Sequence, residues 1–417
     1  MEKVVLAYSG GLDTSVAIRW IKEKYNMEVI TLTVDVGAND RDLNSIRERA
    51  LQIGAVDAIV RDVKEDFVKY FIWPGLQAGA LYEGEYPLAT AFARPLIAWN
   101  LVQVAREKGA QAVAHGCTGK GNDQVRFDVS VSVLAPELKI IAPVREWRMT
   151  RDAEIEYAHQ NNIPLQDVSK KKYSVDQNLW GRSVEAGILE DPWVEAPEDA
   201  YEWTAGPESQ PSTPQYLEIE FDRGIPVALD GQRLDGVSLI TKLNEIAGQH
   251  GVGRIDHLEN RLVGIKSREI YEAPAAVVLH KAHGWIEDMT LTKESARFKA
   301  KVAAEYADMV YNGQWFSPLN QDLAAYVASN QRYVSGTVRV KLFRGQVYKA
   351  GSRSPKSLYN FALATYDKGD QYNHDAAIGF INIFGLSLRN QSQIQLIGST
   401  QDEMLSLAAP EELDKEK

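Results

Sequence analysis

The stretch Ala7-Tyr8-Ser9-Gly10-Gly11-Leu12-Asp13-Thr14-Ser15 decides the fold of this 417-residue chain. It lies between the apolar run Val4-Val5-Leu6 and a helical pattern that begins at Val16. That order predicts a buried strand, a tight glycine turn and a helix. The glycines let backbone N–H groups approach an anion, the helix adds its positive N-terminus, and Thr14 and Ser15 add hydroxyl donors. The stretch therefore predicts a phosphate-binding loop.

This loop is not of the Walker type, because no Gly-Lys-Ser/Thr closes it and no lysine stands where it could reach a terminal phosphate. Its pattern Ser-Gly-Gly-Xaa-Asp-Ser/Thr resembles the loop of the ATP pyrophosphatases, which cleave ATP between the α and β phosphates. The resemblance implies that residues 7–15 hold the departing pyrophosphate. The competing interpretation is a strand-to-helix turn with two chance glycines, and the flanking strand and helix count against it.

Composition is typical of a globular protein, since 45% of the residues are hydrophobic and 25% are charged. The net charge of −11 repels phosphate backbones, so we expect no nucleic-acid partner. The single cysteine, Cys117, excludes an intrachain disulfide framework and every Cys-Xaa-Xaa-Cys arrangement. The seven histidines show no ligand spacing, so we assign no metal-ligating residues of that kind.

The sequence predicts a cytoplasmic protein with no membrane partner. No apolar run is long enough to cross a bilayer. The start Met-Glu-Lys-Val-Val enters a core strand at once instead of forming a charged and then apolar leader.

Strand and helix patterns alternate through the first part of the chain, which predicts an α/β fold with a doubly wound parallel sheet. Helices are expected over residues 39–53 and 89–108, the second closed by Gly109. In such a sheet the carboxyl ends of the strands share one edge, where ligands bind. The predicted strands are residues 3–8, 29–34, 56–60, 111–115 and 139–142.

The later chain changes to a mixed α+β pattern with hairpin signals at 229–231 and 343–345. Helices are expected over 288–312 and 318–330, and a strand pair over 337–348. We predict a nucleotide-binding domain over 1–168, a synthetase domain over 169–370 with a long surface loop at 195–214, and a C-terminal helix and tail over 371–417. An apolar helix over 378–388 packs on another subunit or on its own core, and the subunit is favoured. The tail 410–417 is expected to be disordered.

A second polar cluster, residues 115–127, follows directly on the predicted strand 111–115 and meets the same sheet edge. Its three glycines and its donors and acceptors suit a zwitterion such as an amino acid. Arg126 can hold a carboxylate and Asp123 an ammonium group. A solvated glycine-rich loop is the alternative.

Residues 7–15 together with 114–127 resemble the argininosuccinate synthase family. That resemblance extends to about residue 390 and implies the family's reaction. The family condenses citrulline with aspartate at the expense of ATP, giving argininosuccinate, AMP and pyrophosphate through a citrullyl-adenylate, as in arginine biosynthesis and the urea cycle. Further similar segments are 81–88, Thr90, 93–95, 185–190, 251–256 and 270–272.

The resemblance also implies the substrate contacts, and it implies a homotetramer. ATP is then bound by Ala7, Tyr8, Ser9, Gly10, Gly11, Leu12, Asp13, Thr14, Ser15, Val34 and Gly116. Citrulline is bound by Tyr86, Ala91, Asn122, Arg126, Ser174, Ser183, Glu259 and Tyr271. Aspartate is bound by Thr118, Asn122 and Asp123.

Asp13, Asp123 and Arg126 are the predicted catalytic residues. Charge on the leaving pyrophosphate needs loop N–H groups and Mg²⁺, for which Asp13 is the candidate carboxylate contact. An Asx-type helix cap is the other interpretation of Asp13. No protein nucleophile is required, so Cys117 is expected to be a small packing residue.

Two positions depart from the family pattern. Ala91 stands where many members have serine, so a hydroxyl contact to citrulline is missing, and Thr90 or a backbone N–H is the expected substitute. Residues 35–38 read Asp-Val-Gly-Ala instead of the usual Asn-Ile/Leu-Gly-Gln, which weakens the base-side prediction at Val34.

Two other functions remain open from the residues. Another adenylating enzyme of the same loop class would modify tRNA, with a basic surface and paired cysteines, or transfer amide nitrogen through an N-terminal cysteine, and this chain has none of these features. A non-catalytic nucleotide sensor would explain the first loop but leave the cluster from Thr118 to Arg126 without a role.

Overall fold

In the computed structural model, which describes residues 1–38, 42–164 and 172–395, the run Val4-Val5-Leu6 is fully buried in the central strand of a parallel sheet. The strand order is β3-β2-β1-β4-β5, and every neighbouring pair is parallel. The predicted α/β fold with a parallel sheet is therefore confirmed. The strands are β1 (Lys3–Ala7), β2 (Glu28–Asp35), β3 (Asp57–Asp62), β4 (Ala112–Ala114) and β5 (Lys139–Ile141).

The strand order creates a crevice at the carboxyl ends of β1 and β4. β1 pairs with β2 on one side and with β4 on the other. The chain continues from β1 to β2 but from β4 to β5, so the two connections run toward opposite edges of the sheet. Ligands bind at such a switch point in open α/β sheets. The loop after β1 is residues 8–11 and the loop after β4 is residues 115–121, so both predicted polar segments meet there.

The helices of this first part cover both faces of the sheet. The helix predicted from Val16 begins earlier, at Leu12, because Gly11 is the extended N-cap residue, which places Asp13 in the first helical turn. The helix over 89–108 is confirmed and ends at Gly109, whose φ is +62°. The helices are α1 (Leu12–Tyr25), α2 (Leu43–Ile53), α3 (Lys64–Phe67), a π-helical turn (Val68–Ile72), α4 (Trp73–Ala78), α5 (Ala89–Lys108), α6 (Asn122–Leu134), α7 (Pro143–Trp147) and α8 (Arg151–Gln160).

Two antiparallel sheets follow along the chain, with orders β11-β12-β7-β6 and β10-β9-β8-β13-β14. Both predicted hairpin turns are confirmed, at Asp230-Gly231 and at Arg344-Gly345, where the residues have positive φ. The strands are β6 (Ser174–Asn178), β7 (Gly181–Glu185), β8 (Gln215–Asp222), β9 (Ile225–Leu229), β10 (Gln232–Arg233), β11 (Arg254–Asn260), β12 (Lys266–Glu272), β13 (Gly336–Phe343) and β14 (Gln346–Arg353).

The helices of this second part differ from one prediction. The prediction of one helix over 288–312 was wrong at its start, because one helix ends at Thr290 and the next begins after Thr292. The Thr292 side chain caps the second helix by accepting a hydrogen bond from the Ser295 N–H. The helix over 318–330 is confirmed. The helices are α9 (Gly236–Gln249), α10 (Pro274–Thr290), α11 (Lys293–Tyr311) and α12 (Pro318–Asn330), with short 3₁₀ turns at Gly187–Glu190, Glu198–Ala200 and Gln331–Tyr333.

One large apolar core joins the parallel sheet to the antiparallel sheets, so residues Met1–Leu358 form one compact unit. Phe92 of α5, Trp180 of the β6–β7 turn and Tyr311 of α11 are fully buried in it. The predicted division at residues 168 and 169 and the expected helix start at Asn39 lie outside the described residues.

The second compact unit begins at Tyr359. The prediction of a single helix over 378–388 was wrong, because the helix breaks at Gly385. Glycine is unfavourable in a helix interior, since without a Cβ it loses more conformational freedom than other residues. Its described helices are α13 (Phe361–Ala364), α14 (His374–Phe384) and α15 (Leu386–Gln395). The predicted disordered tail 410–417 lies outside the described residues. In the part of the chain that the structure describes, no helix has the length and apolarity needed to cross a membrane.

Candidate active site

The phosphate loop presents a free helix N-terminus. Gly11 has no side chain to cap α1, so the first-turn N–H groups point toward the crevice without a side-chain partner. The Gly11 N–H donates to Ser9 Oγ at 3.3 Å, and Thr14 Oγ1 lies 3.2 Å from the same oxygen. These contacts hold two hydroxyl groups beside the helix end, which together form an anion-binding surface.

Contacts from three directions fix the conformation of this loop. Tyr8 Oη and Ser15 Oγ lie 3.1 Å apart, and Arg49 Nη1 donates to the carbonyl oxygen of Gly10 at 2.9 Å. A Cβ atom added to Gly116 would lie 2.8 Å from Thr14 Cγ2. The two polar loops therefore approach so closely that only glycine fits at position 116.

A cavity of about 200 Å³ opens beside the phosphate loop and is the candidate nucleotide site, called the nucleotide cavity below. The side chains at its apolar end are Leu32, Val34 and Val36, which suits a purine ring. Gln177 Oε1 is buried there without a hydrogen-bond partner among the described residues. The predicted ATP residues that line this cavity are Ala7, Tyr8, Ser9, Thr14, Val34 and Gly116. The other predicted loop residues, Gly10, Gly11, Leu12 and Ser15, form the turn and first helical turn behind it, and Asp13 faces the neighbouring cavity.

The neighbouring cavity, called the amino-acid cavity below after the ligands predicted for it, has a volume of about 400 Å³. Its lining residues come from the parallel-sheet part and from the antiparallel-sheet part of the Met1–Leu358 unit. Ala91 is fully buried and does not line it, whereas Thr90 does. The Thr90 N–H donates to Tyr86 Oη at 2.9 Å. The predicted amino-acid ligands that the fold brings together here are Tyr86, Thr118, Asn122, Asp123, Arg126, Ser174, Ser183, Glu259 and Tyr271.

Asp123 and Arg126 lie on the first turns of α6, where they form an ion pair of 3.0 Å. Arg126 is buried, its Nε donates to the Tyr311 carbonyl oxygen at 3.0 Å, and its Nη2 has no partner among the described residues. Burial alone would raise the pKa of Asp123, but the guanidinium groups of Arg94 and Arg126 lower it below its usual range. The site thus offers an ionised carboxylate and a free guanidinium N–H.

Glu259 is the centre of a hydrogen-bonded group on the opposite wall. Its carboxylate accepts from the hydroxyl groups of Tyr271 and Tyr311, each at 2.5 Å. Tyr311 Oη in turn accepts from Asn122 Nδ2 at 2.8 Å. Tyr86 stacks on Tyr271 with ring centroids 4.2 Å apart. Because Asn122 belongs to α6 and Tyr311 to α11, these bonds tie α6 to the second half of the unit.

The strand register places further polar side chains next to each other on one face of a sheet. In the β6-β7-β12 part of the four-stranded sheet, Asp176 pairs with Ser183, and Ser183 pairs with Tyr271. Directly paired residues point to the same face of a sheet. That face forms one wall of the amino-acid cavity.

The far end of the amino-acid cavity is acidic. Arg261 Nη2 donates to Glu185 and to Glu269, the second at 2.6 Å. Burial, together with the nearby Glu185 carboxylate, raises the pKa of Glu269 to about 9. Glu269 is therefore protonated near neutral pH, and the other acidic side chains of the cavity supply the surplus of negative charge that favours ammonium groups. The acidic and basic residues that line the cavity are Asp13, Asp123, Asp176, Glu185, Glu259, Glu269, Arg94, Arg126 and Arg261.

The second loop holds an imidazole and a protonated thiol. His115 Nδ1 accepts from the Cys117 N–H at 3.2 Å, so Nε2, 2.8 Å from Asp128 Oδ1, carries the proton. Burial and the Asp123 carboxylate raise the pKa of the Cys117 thiol well above its usual range. Cys117 lines both cavities, and it does not have the thiolate character of a nucleophile.

Glu154, in the first turn of α8, is an acidic neighbour of Asp13. Burial and the Asp13 carboxylate raise the pKa of Glu154 to about 8. Among the described residues, no group of three or more His, Cys, Asp or Glu side chains is placed to hold a metal ion. A hard cation at Asp13 would therefore take most of its ligands from substrate oxygens and water.

The sequence interpretation missed several residues of this site. Arg94 had a readable signal, because it is the single charge in the apolar run from Ala91 to Ile97. Tyr311 and Gln177 gave none, since each reaches the site from a segment whose pattern indicates only a helix or a strand. The unpredicted residues that line the cavities include Arg94, Asp176, Gln177, Glu185, Arg261, Glu269 and Tyr311.

Comparison with known proteins identifies the same family along nearly the whole chain. Residues 3–164 match the model of the arginosuccinate synthase N-terminal HUP domain, and residues 173–391 match that of the arginosuccinate synthase C-terminal domain. The chain is 58% identical to the argininosuccinate synthase of Dehalococcoides mccartyi over 396 residues, 95% of this chain and 97% of the relative. It is 57% identical to that of Symbiobacterium thermophilum, over 94% of this chain and 98% of the relative. Identity to that of Oceanobacillus iheyensis is 54%, over 94% of both chains.

Proposed function

The chain belongs to the argininosuccinate synthase family, and on that premise we propose how its residues divide the substrates between the two cavities. It is an ATP-dependent carbon–nitrogen ligase. It condenses citrulline with aspartate to give argininosuccinate, AMP and pyrophosphate through a citrullyl-adenylate, a step of arginine biosynthesis.

ATP occupies the cavity beside the phosphate loop. Its purine ring lies against Val34 and its neighbours, and its phosphates lie across Gly116 toward residues 9–15. The free N-terminus of α1 and the Ser9 and Thr14 hydroxyl groups support this direction, because they are the anion-binding end of the cavity. The departing pyrophosphate is held there.

Citrulline occupies the larger cavity. Its ammonium group faces the acidic wall at Glu259, and its carboxylate takes hydrogen bonds from hydroxyl groups such as Ser174 and Ser183. Thr90 supplies the hydroxyl that Ala91 lacks, since Thr90 lines the cavity and Ala91 does not. The other proposed contacts are Tyr86, Asn122, Arg126 and Tyr271.

Aspartate lies at the N-terminus of α6, between Thr118, Asn122 and Asp123. The lowered pKa of Asp123 supports contact with the aspartate amine, because an ionised carboxylate attracts an ammonium group and can then accept a hydrogen bond from the free amine. This placement brings the amine next to the ureido carbon of citrulline.

The chemistry then follows in two displacements. The ureido oxygen attacks the α-phosphorus, an O–P bond forms, and the bond to the β-phosphate oxygen breaks with its electron pair leaving on pyrophosphate. The aspartate amine attacks the ureido carbon, loses a proton, and AMP leaves with the electron pair of the C–O bond. Binding both reactants in fixed positions supplies much of the rate, and no protein nucleophile is needed.

ATP would bring Mg²⁺ to the site. The donors present fit it, because Mg²⁺ prefers carboxylate oxygens and is usually held by one or two of them together with substrate phosphates. Asp13 and its neighbour Glu154 are the residues that would hold it. When bound, the ion supplies positive charge for the pyrophosphate leaving group.

The C-terminal unit assembles copies of the chain into a tetramer. Its α14 exposes Ile378, Phe380, Ile381 and Phe384, each more than 60% accessible, and an isolated chain rarely leaves such a patch uncovered. Light scattering should give four times the chain mass. Ile381→Glu should lower that mass, whereas Gln391→Glu on the neighbouring helix should not. A monomeric wild-type protein would contradict the proposal.

The protein works in the cytoplasm on small molecules, without a nucleic-acid or membrane partner. The net charge of −11 and the single cysteine support this location and this substrate class.

The observation that carries the assignment is the common boundary of the two cavities, at which an α-phosphate and a ureido oxygen can meet. Product formation with each substrate omitted in turn is the test. AMP and pyrophosphate should form in equal amounts and should require both amino acids. Release of ADP, or of nothing when both are present, would contradict the proposal.

A further inference from the structure

Six of the described residues line both the nucleotide cavity and the amino-acid cavity, and Arg94 is the one cation among them. The other five supply only neutral or negative groups. The shared residues are Ser9, Arg94, Gly116, Cys117, Asp123 and Asp176. Among the described residues, Arg94 is therefore the cation that both cavities share.

Arg94 is held at this boundary by two carboxylates. Its Nη2 lies 2.8 Å from Asp123 Oδ2 and also pairs with Asp176. Its side chain is only 15% exposed, and its Nε is buried with no partner among the described residues. A buried guanidinium N–H without an acceptor is costly, so a phosphate oxygen at this place would satisfy it.

We propose that Arg94 is a catalytic residue whose guanidinium group contacts the α-phosphate of ATP during both half-reactions. This inference rests on the proposed placement of ATP and citrulline in the two cavities. In the first half-reaction the ureido oxygen bonds to the α-phosphorus while the bond to pyrophosphate breaks. In the second half-reaction the α-phosphate leaves as AMP. Negative charge lies on the non-bridging α-phosphate oxygens in both, and Arg94 donates hydrogen bonds to them while it keeps its proton.

The two carboxylates explain why arginine is needed at position 94. A guanidinium group donates in several directions in one plane, so it can bind Asp123, Asp176 and a phosphate oxygen together. A lysine ammonium group is a compact charge on a flexible stem and cannot reproduce that geometry.

Positional isotope exchange measures the first half-reaction alone. ATP labelled with ¹⁸O in the α–β bridge is incubated with enzyme, Mg²⁺ and citrulline but no aspartate, and movement of the label to non-bridging β positions reports reversible cleavage. We expect Arg94→Gln to slow this exchange by about a hundredfold or more, as loss of one transition-state donor does, and Arg94→Lys to slow it by at least tenfold. Guanidinium chloride at millimolar concentration should partly restore the exchange of Arg94→Ala.

Arg145→Gln is the matched control. Arg145 pairs with Asp128 at 2.7 Å beside the same helix α6 but lines neither cavity. It should keep the wild-type exchange rate. Circular dichroism and the thermal midpoint identify variants that fail to fold, and Arg94→Lys, which keeps the charge between the two carboxylates, provides the second test.

Exchange within threefold of wild type in a folded Arg94→Gln or Arg94→Lys variant would overturn the inference. So would a loss confined to the KM for aspartate, because that pattern belongs to a residue that only orients Asp123. The proposed function has a separate test, since citrulline-dependent exchange by the wild-type enzyme stands or fails independently of these variants.

Discussion

Asp123 and Arg94 form an ion pair, Oδ2 to Nη2 at 2.8 Å, at the boundary between the nucleotide cavity and the amino-acid cavity. Asp123 is also paired with Arg126, so one carboxylate lies between two guanidinium groups. That arrangement keeps Asp123 ionised. It also makes the carboxylate both a binding group for a substrate amine and a positioning group for its arginine neighbours.

Replacing Asp123 by asparagine keeps the shape of the side chain and removes its charge. We expect the KM for aspartate to rise by about ten- to a hundredfold, which matches the loss of one charged hydrogen bond. Isotope exchange with citrulline alone should change much less, because aspartate is absent from that step and the asparagine oxygen can still accept a hydrogen bond from Arg94. Asp152→Asn, at an exposed position of α8, is the control. An equal loss in both half-reactions would show that Asp123 does not act mainly on aspartate.

Alanine at position 116 should weaken ATP binding. Its Cβ would come within 2.8 Å of Thr14 Cγ2, so the phosphate loop has to move. We expect the KM for ATP to rise by roughly tenfold and stability to fall by about 1–3 kcal/mol. Gly119→Ala is the matched control in the same loop, because nothing lies within 4 Å of the added Cβ. If both variants bind ATP alike, the close approach of the two loops does not matter for the nucleotide.

Glu269 should make stability depend on pH. The folded protein holds a proton on Glu269 up to a pKa of about 9, whereas the unfolded chain releases it near 4.5. The folded state therefore binds more protons between these values, and the contribution of this group to stability falls as pH rises through that window. Glutamine mimics the protonated acid. The unfolding free energy of Glu269→Gln minus that of wild type should grow between pH 5.5 and 8.5, by at most about 1.4 kcal/mol per pH unit. Urea titrations measure it, and a constant or shrinking difference would refute the raised pKa.

Glu272 should be essential for anchoring the loop over 195–214. It is fully buried and accepts the Trp203 and Thr204 N–H groups at 2.9 Å and Arg182 Nη1 at 2.8 Å. Glu272→Ala leaves the buried Arg182 without this partner, so we expect a loss of about 3–5 kcal/mol in urea unfolding and faster amide exchange over the loop. Glu202→Ala, whose side chain is 61% exposed, is the control. Equal stability of the two variants would contradict the anchoring role.

The sequence was sufficient to predict the parallel sheet and the two polar loops at its edge. The short apolar runs Val4-Val5-Leu6-Ala7 and Ala112-Val113-Ala114 are followed closely by glycines and polar donors, so their pattern is local and readable. The helix break after Thr290 was missed because a threonine cap interrupts an otherwise continuous helical pattern. The break at Gly385 was missed for a similar reason, since a lone glycine within an apolar helix gives only a weak signal.

The rest of the site depends on contacts between distant segments. Arg94 meets Asp176 across 82 positions, and Tyr311 meets Asn122 across 189. No local pattern reports such a pairing, because the docking of α11 and of the β6–β7 hairpin on α5 and α6 decides it. The prediction at Ala91 failed for a related reason. The family pattern predicted a citrulline contact at Ala91, whereas Thr90 is the residue that lines the cavity.

The central claim is that the ureido oxygen of citrulline meets the α-phosphorus of ATP where the two cavities join. Citrulline labelled with ¹⁸O in its ureido group, reacted with ATP and aspartate, tests this claim most directly by mass spectrometry of the products. We predict one ¹⁸O atom in the phosphate of AMP and none in pyrophosphate. Unlabelled AMP, or label found in pyrophosphate, would contradict the account.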